Sequence, residues 1–143
     1  MLTLFITLNT PTVSAGEMPE LTARLINEGD DILLVNSRML LVPAAMPDDR
    51  KEMVIHIDGP PDSMNLMRVH VQAKPPLPGD FVRLFPGEYL YSVYTLEEHF
   101  SYEEPGTYRV FAEYFNQIDL VVDGIRSWKG HIRSNNASFG INV

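Results

Sequence analysis

The sequence contains no cysteine. That absence removes disulfides, thiolate zinc sites and cysteine nucleophiles together, so packing alone must hold the fold. It does not fix the compartment, because an exported β-domain can lack cysteine as readily as a cytosolic one. Basic side chains are also scarce: 11 Lys and Arg stand against 19 Asp and Glu, for a formal charge of −8. Phosphate contacts need clustered cations, so nucleic acid is not an expected partner. No run of five like charges occurs, which leaves neither a polybasic membrane patch nor an acidic tail. Membrane insertion is not expected.

Catalytic signatures are missing as well. There is no G-x-S-x-G elbow, no G-x-G-x-x-G and no G-x-x-x-x-G-K-[ST], so neither an activated serine nor a nucleotide site has local support. The four histidines, His56, His70, His99 and His131, fall into no spacing that sets two imidazoles on one metal. His56 and His70 read as solvent-facing residues of adjacent strands, close enough to form a weak pH-sensitive pair. Glu97-Glu98 and Glu103-Glu104 are paired carboxylates of the kind a solvated turn carries. The loops 27–31 and 47–49 concentrate calcium-type oxygen ligands without matching an EF-hand, and Asp and Asn favour turns for backbone reasons in any case. Asn136-Ala137-Ser138 fits the glycosylation sequon, a weak three-residue match. No catalytic residue, metal site or cofactor is expected, and the chain is not expected to be an enzyme.

What is present is strand alternation. The 143 residues, 45% hydrophobic and 21% charged, suit one globular domain over 1–143. Period-2 patterning recurs between Pro, Gly, Asn and Asp clusters about every ten residues, with no helical stripe in between. The spacing predicts strands near 2–8, 21–25, 32–42 with a bulge at Asn36-Ser37, 53–57, 67–73, 81–85, 88–96, 107–115 and 137–143. A short helical turn is expected over 96–102. The proline-rich stretch 75–80 predicts a stiff crossing between sheets, and Asp123-Gly124 a candidate hairpin insertion at 117–134. Together these predict an all-β, immunoglobulin-like antiparallel β-sandwich of about 7–9 strands.

An apolar start running into Val13-Ser14-Ala15 suggests an export leader. The reading fails on the lack of Lys or Arg ahead of it and on Thr3, Thr7, Asn9, Thr10 and Pro11 within the stretch. Residues 2–8 alternate as a strand instead. The compartment stays open: extracellular or periplasmic if a leader was removed, cytoplasmic otherwise.

Pro105-Gly106-Thr107-Tyr108-Arg109-Val110 resembles the start of strand F in immunoglobulin-like sandwiches, where a tyrosine tucks its hydroxyl onto nearby backbone. With Pro86-Gly87-Glu88, Tyr114-Phe115-Asn116, Trp128-Lys129-Gly130, Ser134-Asn135 and the alternating last strand, it is similar to bacterial immunoglobulin-like or fibronectin-III-like domains of exported proteins. The resemblance implies a scaffold and no chemistry. The buried tryptophan and cysteine pair of antibody domains are missing, and residues 117–127 look inserted.

If Tyr108, Val110, Ala112 and Tyr114 face the core, Phe111 and Phe115 point outward as a stripe of contact character. The covering alternative is the apolar connection 117–134, which carries Ile125 and Trp128. The candidate partner-binding residues are therefore Phe111, Phe115, Ile125 and Trp128. The expected role is a non-catalytic protein-interaction or structural accessory module, with another protein as partner or with self-association. One alternative is a carbohydrate or other small-ligand binding module stacking Tyr89, Tyr91, Trp128 or Phe111 on its ligand. Another is a protease-inhibitor or prodomain-like regulator presenting the loop 74–80.

Overall fold

The computed structural model describes residues 1–61 and 74–143. Twelve strands lie among them: β1 (Leu2–Leu8), β2 (Thr12–Ser14), β3 (Glu20–Asn27), β4 (Leu33–Asn36), β5 (Met53–Asp58), β6 (Phe81–Leu84), β7 (Tyr89–Thr95), β8 (Gly106–Asn116), β9 (Val121–Val122), β10 (Ile125–Arg126), β11 (Gly130–Arg133) and β12 (Ala137–Asn142). The count exceeds the seven to nine expected because β2, β9 and β10 hold two or three residues each, too few for alternation to register. The strand anticipated at 67–73, with His70, lies outside the described residues.

Two sheets face each other across one core. The first is antiparallel in the order β1-β3-β7, with Leu4 opposite Leu25 and Leu25 opposite Leu90. The second is built on β8, which pairs with β5 along one edge and with β11 and then β12 along the other. Leu2, Leu4, Ile6, Leu21, Ala23 and Leu25 enter the core from the first sheet, and Tyr108, Val110, Ala112, Tyr114, Phe139 and Ile141 from the second. Each large side chain buried here contributes about 1.5–3 kcal/mol of transfer free energy. With no cysteine to crosslink the layers, this burial and its hydrogen bonds hold the sandwich closed. The molecule is an all-β sandwich.

The chain crosses between sheets early. β1 pairs with β3, but after the bend at Pro11 the short β2 runs parallel to β12 in the second sheet. The amide of Gly140 donates to the Pro11 carbonyl (2.8 Å) at that crossing, a position where a proline nitrogen has nothing to donate.

The segment after β4 departs from expectation. Alternation predicted strand through residue 42, yet β4 ends at Asn36 and Met39 takes φ +47°, a left-handed conformation that interrupts a ladder. The chain resumes contact through the Val42 amide to the Met53 carbonyl (2.9 Å) and the Met53 amide to the Leu40 carbonyl (3.0 Å). The helical turn expected near residue 96 is a single 3₁₀ turn, Leu96–Glu98.

Candidate functional site

β8 alternates as the sequence requires. Tyr108, Val110, Ala112 and Tyr114 are buried in the core, which sends Phe111 and Phe115 to the opposite face of the sheet. The Tyr108 hydroxyl donates to the Glu104 carbonyl four residues upstream (2.7 Å), the geometry of a tyrosine corner.

Neither phenylalanine is a free contact residue. Phe111 is half-buried between neighbouring strands: the His56 ring stacks on it from β5 at 4.4 Å, and Arg133 from β11 lies 3.8 Å above its centroid. His56 in turn bonds Glu113 at 2.7 Å, so the histidine expected in open solvent is partnered on two sides. Phe115 is only 6% exposed. Val42, Val54, Leu40 and Met46 cover it, His131 stacks at 5.3 Å and the Lys51 ammonium sits 5.0 Å from its ring. The exposure expected of Phe115 is thus corrected: its aliphatic cover arrives from residues 40–54, sixty to seventy-five positions upstream in sequence, and 117–134 adds only the His131 ring.

Residues 117–134 fold back instead. Asp123 (φ +49°) and Gly124 (φ +79°) form the tight turn between β9 and β10, the positive-φ pair that a two-residue hairpin needs. Asp123 is ion-paired with Arg83 on β6, and the Trp128 amide donates to the Leu34 carbonyl (2.8 Å). Trp128 is half-buried against the core with its ring 5.7 Å from that of Tyr114. It closes one end of the sandwich. Ile125 is half-buried on the hairpin, across from Val122. The four sequence-designated residues therefore divide into two settings and form no common surface patch.

The open aromatic face lies on the other sheet. Register sets Thr3, Ile26 and Tyr89 in one cross-strand row, Phe5, Arg24 and Tyr91 in the next, and Thr7, Thr22 and Val93 in a third. Their side chains point away from the core, since Leu4, Ile6, Ala23 and Leu25 point into it. Tyr91 is 66% exposed, Tyr89 56%, Val93 47% and Phe5 45%. Among the described residues none of these rings stacks on another aromatic or receives a cation. Alternation in β1 and β7 could have shown this surface, because Phe5, Tyr89 and Tyr91 each fall on the phase opposite a buried residue.

Among the described residues no group of three His, Asp or Glu side chains is placed to hold a metal ion, and no helix is long and apolar enough to cross a membrane. No protein-family model matches the chain, and no curated protein matches it either.

Proposed function

We propose that the chain is a non-catalytic immunoglobulin-like recognition module that binds another protein through the outward face of β1, β3 and β7. The tyrosine corner at Tyr108 and the A-strand-like split of β1 and β2 between two sheets support the immunoglobulin-like kinship. The observation that carries the binding reading is the set of unpartnered rings Phe5, Tyr89 and Tyr91 grouped around Arg24. Interface centres are enriched in aromatics and Arg and depleted in carboxylates. Here a chain of net charge −8 sets one cation among otherwise uncharged rows and keeps its nearest face carboxylate, Glu20, at the strand end. Contrast the opposite sheet, where Phe111 and Phe115 are already stacked and capped.

A partner protein fits this face better than a second copy. Arg24 occupies the middle row, so a two-fold dimer through the face brings two guanidinium groups together near its axis. A protein offering an apolar patch with a carboxylate opposite Arg24 meets no such repulsion.

Photo-crosslinking amino acids at Phe5 and Tyr91, in cells that make the protein naturally, test the reading. One protein should crosslink from both positions, and Arg24→Glu should abolish the product while leaving the fold unchanged. Absence of a protein product from either position sinks the proposal. Tyr89- and Tyr91-dependent retention of a glycan on an array favours the carbohydrate reading instead, since two exposed tyrosine rings two residues apart also suit a sugar face.

A further inference from the structure

A cleft of about 300 Å³ opens on a different part of the surface, between residues 36–52 and the segments 74–76 and 116–118. It shares no residue with the β1-β3-β7 face. Its lining holds four cations, Arg38, Arg50, Lys51 and Lys74, against two carboxylates, Asp49 and Glu52, on a chain where acids outnumber bases 19 to 11. Glu52 is buried and fully engaged: it accepts from Arg38 Nε (3.0 Å), from a second nitrogen of the same guanidinium and from the Leu40 amide (3.3 Å). Its charge is therefore offset before any ligand arrives. Arg50 and Lys74, both exposed, have no ion-pair partner among the described residues, and Arg38 ties Lys74 to the cleft by donating to its carbonyl (3.1 Å).

A second observation is independent of the charges. Asn36 lines the cleft and is completely buried, and its Oδ1 accepts the Arg38 amide (3.0 Å). That bond fixes the orientation of the side-chain amide and leaves Nδ2, which has no hydrogen-bond partner. A buried N–H without an acceptor is costly, and such groups in folded proteins call for an explanation. The remaining wall is apolar, with Leu40, Val42, Met46 and Ile118, the first three of them side chains that also cover Phe115.

We propose that this cleft binds a small carboxylate with an apolar body, its acid group set toward Asn36 and the cations and its body against the aliphatic wall. A volume at the low end for ligand pockets suits a molecule of that size, and the apolar wall has no use for a bare inorganic anion.

Titration calorimetry and NMR test this with hexanoate and benzoate as probes. Hexanol supplies the body without the charge, and inorganic phosphate the charge without the body. Both carboxylates should raise the melting temperature by mass action and shift the Asn36 side-chain amide resonances. Arg50→Gln and Lys74→Gln, at exposed positions, should each weaken binding by about threefold to tenfold. Asn36→Asp keeps the acceptor for the Arg38 amide but replaces the unpaired buried donor with a negative charge, and should abolish binding. Should that variant fail to fold, the two exposed variants decide the matter. Equal binding of hexanol or of phosphate, or no binding of either carboxylate, overturns the proposal.

Discussion

A single hydroxyl shows how far local chemistry can be read from the chain. Tyr108 is fully buried, and its ring packs 5.2 Å from Phe139 and 4.9 Å from Tyr102. Its hydroxyl bond to Glu104 closes the turn before β8. Tyr108→Phe keeps the ring, so the expected loss is that of one hydrogen bond, about 1 kcal/mol. Urea denaturation should show a lower midpoint with an unchanged slope. Beside the same ring lies Gly59, where an added Cβ would stand 2.3 Å from Tyr108 Cε2. The glycine is there for space. Gly59→Ala must displace a ring wedged against Phe139, and is expected to lower stability by about 1–3 kcal/mol in the same measurement. At this scale alternation made the inward set of β8 legible, as it did the outward phase of Phe111 and Phe115. What covers an outward ring was not legible, because Val42 and Met46 reach Phe115 through a fold that no local pattern encodes.

Elements were readable in proportion to their length and regularity. β1, β3, β5, β7, β8 and β12 run six to eleven residues, and each stands where alternation placed it, although β5 and the end of β8 are buried on both faces. The stretch 37–52 was not readable, since its apolar residues serve as covers rather than as a strand face; in 117–134 the turn at Asp123-Gly124 was legible, but where the hairpin packs was not. Between β11 and β12 the segment Ser134-Asn135-Asn136 joins the two sheets. Asn135 Oδ1 accepts the Ile6 amide (2.8 Å) and Asn135 Nδ2 donates to the Ile6 carbonyl (3.1 Å). One side chain thus pairs with the outer edge of β1 as a neighbouring strand would, at a residue 1% exposed. Asn135→Ala leaves both Ile6 groups without that partner, and about 1–3 kcal/mol of stability should be lost. Hydrogen exchange gives the specific readout: the Ile6 amide should lose protection while Leu25, in the middle of the sheet, keeps most of its own.

The whole sandwich is closed by two tyrosines that reach one strap from opposite layers. Tyr94 on β7 donates to the Met39 carbonyl (2.5 Å), and Tyr114 on β8 donates to the Asn36 carbonyl (2.9 Å). Burial raises the pKa of both phenols well above the ordinary 10.0, and it pushes Tyr102 up to about 12. A phenol whose folded pKa is raised favours the native state fully below the unfolded value. As pH rises past about 10 the unfolded chain releases protons that the folded chain retains, and the stability drains away toward the folded pKa. Unfolding free energy should therefore be insensitive to these groups at neutral pH and fall steeply above about pH 10. The double variant Tyr94→Phe/Tyr114→Phe separates this from general charge repulsion in a chain already at −8. It should be less stable at neutral pH by about 2 kcal/mol for the two lost bonds, and its alkaline decline should be shallower than that of the natural chain. Repulsion alone predicts similar slopes for both proteins, because most of the surface charge is common to them. Parallel curves would therefore remove the two hydroxyls, and the strap they share, from any account of how the layers stay shut at high pH.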